Sequence, residues 1–340
     1  VLWASDLGFD IGTSKTTVYA RGQGVAYSDE SVIALSSRGG NTVAIGHNAS
    51  GLARAEGAEA VVVRPIVAGT IADFAAASEL LRQTMIRALG RRWLVGPTVV
   101  SAVPPGATSV ERYTLQQALI KAGARRAFLV DASLAAALGA GFGVNQPAAR
   151  MIVDIGAGST NIGIVSGGAV LLSRSLRFGG QDLDEAIRRL VRRKFGLATT
   201  RESAEQIKIR VGSVARDLQK EPVSLDGVEV YGELFKNVSV PLDDVPDLLS
   251  RHVSLVASEI RWLLEDVSRE HREDLMATGI ALSGGTSRLR GIAGLMTEKL
   301  GIAASVVPNP AESVISGIGV VLQNPGRLRI DGGQFYASDQ

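Results

Sequence analysis

Short apolar runs alternate with stretches of helical period along most of the chain, the pattern of a layered α/β protein. Runs at 98–103, 127–130, 279–282 and 304–307 read as buried strands, the first stopped by Pro104-Pro105. Between them, Leu80, Leu81, Met85, Ile86 and Leu89 recur at three- and four-residue spacing and predict a helix over 78–89. Similar spacing predicts helices over 110–122, 133–139, 245–267 and 291–300. A helix opening at Asp182 places Leu183, Ile187, Leu190, Val191 and Phe195 on one face and stops at Gly196. The stretch 202–218 is read as helical with Ile207, Ile209 and Val211 inward, and 221–241 as a small β excursion. Strands are expected at 31–35 and 42–45, and a final helix at 317–322 returns the chain to its first half.

Within this alternation lies an internal repeat. Phe9-Asp10-Ile11-Gly12-Thr13-Ser14-Lys15-Thr16-Thr17-Val18 runs parallel with Val153-Asp154-Ile155-Gly156-Ala157-Gly158-Ser159-Thr160-Asn161-Ile162. In each copy a strand ends in Asp, a small hydroxylated turn follows, and a second strand leads into another glycine turn. Each copy is therefore a hairpin with a small polar tip.

Composition refines the picture. The 340 residues are 46% hydrophobic and 21% charged, enough apolar material for two cores and too long for one. A net charge of +2 provides no field to draw the chain onto nucleic acid. The basic run Arg188, Arg189, Arg192, Arg193 and Lys194 has no interleaved aromatics to stack bases, so it reads as a solvated helix face. Absence of cysteine excludes disulfides and thiolate metal sites and points to a cytoplasmic location. No stretch reaches the roughly 18 apolar residues of a membrane span, and Val1-Leu2-Trp3 meets Asp6 too soon for a signal sequence.

Two Asp-bearing hairpins facing each other would form a phosphate clamp. Backbone N–H groups and hydroxyls at the tips would grip phosphate oxygens, Lys15 would add an ammonium, and Asp10 and Asp154 would hold Mg²⁺ with its waters. Ser283-Gly284-Gly285-Thr286-Ser287-Arg288 follows a strand, and glycine there admits close approach of a backbone to a flat ring; a plain strand-to-helix turn is the alternative. Glu205 and Lys208 share a helix face, either as a surface ion pair or as ligand contacts.

These pieces occur in the same order in the actin, sugar-kinase and heat-shock-chaperone ATPase superfamily, and the chain most closely resembles the MreB family. The likeness runs through Ala44-Ile45-Gly46-His47, Val63-Arg64-Pro65-Ile66, Gly69-Thr70-Ile71-Ala72-Asp73-Phe74, Phe178-Gly179-Gly180 and Leu183-Asp184-Glu185-Ala186-Ile187, besides both hairpins. It implies a two-domain actin-like ATPase fold, each domain having a ribonuclease-H-like core and a smaller subdomain. The first domain would span 1–146, with a small subdomain at about 31–75 and completion by 317–340; the second would span 147–316, with its small subdomain at about 181–245. By the same resemblance, Gly12, Thr13, Ser14, Lys15, Gly156, Ala157, Gly158, Ser159 and Thr160 hold the phosphates of ATP or ADP with Mg²⁺. Glu205 and Lys208 hold the ribose side, and Gly284, Gly285, Thr286, Ser287 and Arg288 line the adenine. The implied function is a head-to-tail filament on the cytoplasmic membrane face, with cell-wall elongation proteins as partners and cell shape as the outcome.

One departure bears on mechanism. The family carries Glu-Pro before an alanine-rich helix, the Glu positioning the attacking water; here Ala132-Ser133 stand there, preceded by Asp131. Asp131 is open to two readings, substitute water-orienting group or helix cap. ATP binding with slow hydrolysis is expected. The loop Arg91-Arg92-Trp93-Leu94-Val95 is similarly open: Trp93 and Leu94 enter a membrane interface, as the family's hydrophobic loop does, or Trp93 packs beneath its own loop. The competing functions are a non-polymerising ATP-binding regulator and a phosphotransferase of the same fold, although the sequence offers no identifiable Asp base or sugar pocket for the latter.

Overall fold

Both hairpins grow into sheets of one topology. The computed structural model describes residues 6–52, 59–90, 93, 95–143, 145–214, 222–230, 234–241 and 243–324. Its first large sheet runs Arg126–Asp131, Thr98–Val103, Leu7–Ile11, Lys15–Ala20, Gly24–Glu30. The second runs Ala304–Val306, Ile280–Ser283, Arg150–Ile155, Thr160–Ser166, Ala169–Leu176. In each, three antiparallel strands are extended by two parallel ones, so the sequence repeat marks a repeat of the whole sheet. Residues on both faces of the central strands are buried, among them Met151, Ile152, Val153 and Ile155, which explains their unbroken apolar reading.

Two helices join the halves by crossing over. Ala132–Gly139 leaves the first sheet and packs on the second, while Ser313–Gln323 leaves the second half and packs on the first sheet. They lie against each other between the sheets, sharing a core of Leu134, Ala135, Leu138, Val314, Ile315 and Ile318. Glycine makes this closeness possible. A Cβ on Gly317 would lie 1.7 Å from the Ala135 carbonyl oxygen, and one on Gly139 1.7 Å from that of Ser313. Each helix also sits on a strand glycine: a Cβ on Gly8 would meet Ile318 at 2.4 Å, and one on Gly163 would meet Ser133 at 2.3 Å.

Each large sheet carries a small satellite. The sheet Thr42–Ile45, Ile33–Ser36, Ala60–Val63 is covered on one face by helix Phe74–Leu89, through Ala76 and Leu80, and on the other by helix His47–Leu52, through Ala49. Asp73 caps the longer helix by accepting from the Ala76 N–H, and Gly90 ends it in the left-handed region at φ 65°. The second satellite joins Leu197–Ala198, Val223–Glu229 and Phe235–Val240 to helices Gly180–Phe195 and Arg201–Val211.

The structure corrects two expectations. Helix Arg201–Val211 is shorter than the predicted 202–218, whose 215–218 portion lies outside the described residues. Ile209 is 64% exposed rather than inward, because a residue two places from buried Ile207 lies about 200° around a helix. Trp93 is half-buried: it packs against the first-domain core and donates from Nε1 to the Gly123 carbonyl at 3.3 Å. That is the packed reading of its loop; Leu94, Arg91 and Arg92 lie outside the described residues. Helices His47–Leu52 and Arg269–Thr278 were not anticipated from the pattern.

The helix crossing makes a direct prediction. Gly317→Val should destabilise the protein by about 2–3 kcal/mol through overpacking. Gly294→Ala, at an exposed helical position with open space around its Cβ, should stabilise it by about 0.5–1 kcal/mol. Urea denaturation of both variants measures the contrast.

Candidate functional site

The two hairpin tips are built alike. Gly12 N–H donates to the Lys15 carbonyl at 3.0 Å, and Gly156 N–H donates to the Ser159 carbonyl at 2.9 Å, closing both turns. A Cβ on Gly158 would stand 2.5 Å from Thr13 Oγ1, so the tips meet face to face. Thr13 Oγ1 also accepts from the Gly69 N–H at 2.9 Å, and a Cβ on Gly69 would lie 3.2 Å from Ser159 Oγ. Gly69, in the turn between Ile66–Val67 and Thr70–Ile71, thus reaches both tips.

The carbonyls of these tips are taken up by surrounding donors. Ser31 is fully buried and braces the first tip: its N–H donates to the Ser14 carbonyl at 2.9 Å and its Oγ to the Gly12 carbonyl at 2.6 Å. At the second tip, the Gly156 carbonyl accepts from Gly180 N–H and Thr286 Oγ1, both at 2.9 Å, and the Ala157 carbonyl accepts from Gln181 N–H at 2.8 Å. Among the described residues, the N–H groups of Thr13, Ser14, Ala157, Gly158 and Ser159 donate to no protein acceptor. A cluster of free donors at two bare turns is a cradle for an anion with several oxygens.

Asp10 and Asp154 stand just behind the tips, and their environments differ. Burial pushes the Asp10 carboxyl up to about 7; the Asp154 charge adds to the shift and Lys15 opposes it. Burial likewise pushes Asp154 up to about 6, against hydrogen bonds from Ser283, whose Oγ donates at 2.8 Å, and from Asn161. Asn161 is the cross-strand partner of Asp154, and its Oδ1 accepts from Ser175 Oγ at 2.8 Å. Two buried carboxyls, one of them further raised by the charge of the other, suit a divalent cation, and Mg²⁺ binds through one or two carboxylates together with phosphate oxygens and water. Among the described residues there is no cluster of three or more acidic, His or Cys ligands.

The ring-lining candidates divide. Gly284, at φ 82°, would place a Cβ 2.2 Å from the Ile155 carbonyl oxygen, so the turn 283–288 lies directly on the end of the second hairpin's first strand. Gly285 is open and Arg288 exposed, whereas Ser287 is fully buried and donates to the Gly284 carbonyl at 2.7 Å. Ser287 therefore shapes the turn rather than facing a ligand. Glu205 is exposed, while Lys208 is buried and lies 2.7 Å from Asp184 Oδ1. Of the two readings of Glu205 and Lys208, the surface ion pair is thus replaced by a buried pair of Lys208 with a different acid.

Asp131 behaves as a cap. Its Oδ1 accepts from Ser133 N–H at 2.8 Å, Ser133 Oγ at 2.5 Å and Leu134 N–H at 3.4 Å, and its Oδ2 accepts from Ser173 Oγ in the second sheet at 3.2 Å. A carboxylate so occupied is committed to the helix end and to the domain junction, against the water-orienting reading. Ala132 is buried and offers only a methyl. Sequence reasoning assigned no role to Ser31, Gly69, Asn161 or Asp184. Of these only Asp184 left a signal, as an acid on an otherwise apolar helix face.

The raised carboxyls set a pH dependence for the protein without bound cation. Their folded-state pKa values exceed the unfolded value of 3.8, so their contribution is most favourable when protonated and is lost as pH rises through about 6 and 7. Asp10→Asn should therefore gain stability relative to wild type as pH rises from 4 to 7, by up to about 1.4 kcal/mol per pH unit. Denaturation midpoints across that range test the sign.

Comparison with known proteins agrees with this geometry. A family model described as MreB/Mbl protein matches residues 4–330. The cell shape-determining protein Mbl of Bacillus subtilis strain 168 is 30% identical over 327 residues, covering 96% of this chain and 98% of its own. The cell shape-determining protein MreB of Escherichia coli strain K12 is 30% identical over 343 residues, covering 99% of this chain and 98% of its own. Among solved structures, MreB5 of Spiroplasma citri bound to AMPPNP aligns with a TM-score of 0.87 at 27% identity, covering 94% of this chain and 96% of that one. The repeated sheets, the facing tips and these matches lead to one conclusion: the chain belongs to the MreB/Mbl family of actin-like proteins.

Proposed function

We propose that the chain binds ATP or ADP with Mg²⁺ between the two hairpin tips and uses the nucleotide to govern head-to-tail assembly into a filament that guides cell-wall synthesis. The observation that carries this reading is the meeting of Thr13 with Gly158, which brings two sets of free N–H donors to one place. Similarity to MreB5 of Spiroplasma citri, solved with AMPPNP and with ADP, supports a nucleotide as the occupant. In this reading, Thr13, Ser14, Ala157, Gly158 and Ser159 bind phosphate oxygens through their N–H groups. Asp10 and Asp154 hold the cation, which supplies neutralisation of phosphate charge. Thr286 and Gly284 shape the floor on the ring side.

Closure of the two halves is supported by contacts that span them. Arg177 pairs with Glu111 at 2.9 Å, and Arg64 approaches Glu202 at 4.0 Å between the small subdomains. Glu111 also closes the capping box of helix Ser109–Lys121 through Thr108, so this inter-half ion pair has a rigid footing. On its outer side that helix exposes Val110 and Tyr113, at 71% and 63%, a patch suited to burial against another copy. Contact with a membrane surface remains part of the proposal, carried by the family likeness and not by Trp93, which packs against the core and Gly123.

Hydrolysis is the weak step. Ala132 cannot orient water and the Asp131 carboxylate is held at a helix end, so the rate should lie about 10²–10⁴ below that of a site with a positioned acid or base. Ala132→Glu should raise phosphate release, and Asp131→Asn, which keeps a capping side chain, should leave it unchanged; a phosphate-release assay on each variant decides the matter.

Assembly has its own test. Purified protein should pellet with MgATP and remain in the supernatant without nucleotide, and calorimetry should detect MgATP binding that Asp154→Ala weakens. Binding without pelleting would favour the non-polymerising regulator instead.

A further inference from the structure

Helix Gly180–Phe195 turns Leu183, Ile187, Leu190 and Val191 into the second-domain core, yet Asp184 lies beside them and is 2% exposed. Its Oδ1 is 2.7 Å from Lys208 Nζ on helix Arg201–Val211 and has no aligned hydrogen-bond donor beyond that ion pair. Burial pushes the Asp184 carboxyl above its ordinary range, and the Lys208 ammonium pulls it back. A pair of this kind is a poor device for stability, since two apolar side chains of similar volume would hold the fold as well. It is a good device for fixing a cation at one point.

The ammonium held there has a second contact. Lys208 Nζ donates to the Gly180 carbonyl at 3.0 Å. The Gly180 N–H donates to the Gly156 carbonyl at 2.9 Å, and that same carbonyl accepts from Thr286 Oγ1 at 2.9 Å. A Cβ on Gly180 would crowd both Thr286 Oγ1, at 2.6 Å, and Lys208 Nζ, at 3.2 Å. One run of polar contacts therefore links helix Arg201–Val211, the Gly179-Gly180 turn, the second hairpin tip and the turn 283–288.

We propose that Asp184 is a positioning residue for nucleotide binding: it anchors the Lys208 ammonium and, through Gly180 and Gly156, sets the spacing between the phosphate tip and the ring-side turn. This rests on the nucleotide reading given above. The anchored lysine serves the nucleoside end, because its contacts run toward Thr286 and the turn 283–288 and not toward the first hairpin.

The test compares binding of MgATP with that of magnesium tripolyphosphate, by calorimetry on the full chain. Asp184→Asn should weaken MgATP binding at least about tenfold, the scale of a misplaced contact group, while tripolyphosphate, which engages only the tips, binds as it does to wild type. Retained tripolyphosphate binding also reports an intact fold. Should Asp184→Asn fail to fold, the double variant Asp184→Leu/Lys208→Met removes both buried charges; it should melt near the wild-type temperature and still bind MgATP weakly. Wild-type MgATP affinity in either variant, or equal loss of both ligands in an Asp184→Asn protein that melts like wild type, would overturn the proposal while leaving the nucleotide reading standing. Failure of wild-type protein itself to bind MgATP would overturn both.

Discussion

Everything in this molecule is organised around the approach of two glycine-rich turns from separate sheets. Gly158 comes so close to Thr13 that any side chain there would collide with it, and Gly69 fits against the same pair. Such proximity brings peptide N–H groups from both sheets toward one spot, with the Thr13 side chain filling the space between the tips. The cost is conformational, since glycine loses the most freedom on folding, and burial of Asp10 and Asp154 behind the turns adds an electrostatic one. Surrounding residues offset these costs by saturating the carbonyls, with Ser31 on one side and Gly180, Gln181 and Thr286 on the other.

Much of this was legible in the sequence, because the repeated Asp-Ile-Gly turns and their flanking apolar strands encode local geometry directly. The strand expected at 98–103 has those bounds in the structure, and the helix expected at 110–122 spans Ser109–Lys121, because prolines flank the first and a capping box opens the second. What could not be read was anything set by tertiary partners. Ser31 reads only as the start of the expected strand 31–35 until its burial against Gly12 is seen, and Lys208 is open to a surface reading until Asp184 is placed beside it. Ile207 and Ile209 cannot share the buried face, because about 100° separates neighbours on a helix and a period of two belongs to a strand.

The two halves of the site, though copies in plan, are not equivalent in restraint. Asp154 is held from both sides by Ser283 and Asn161, whereas Asp10 faces the charges of Asp154 and Lys15. The second domain also supplies the turn 283–288 and the buried Lys208–Asp184 pair. The first supplies the Gly69 turn and the capped helix whose Glu111 reaches across to Arg177. Two sheets of one topology thus differ in what surrounds their tips, while the contacts that span the opening draw one partner from each half.

The crossing of helices Ala132–Gly139 and Ser313–Gln323 gives that opening its dimension. Because Gly139 and Gly317 let main chains touch, the two helices cross more closely than side chains at those positions would allow, and the layer between the sheets is correspondingly thin. The alanine and glycine tract is in effect a gauge block machined into the sequence. A single added methyl at the crossing would alter the width of a cleft formed by residues remote from it along the chain.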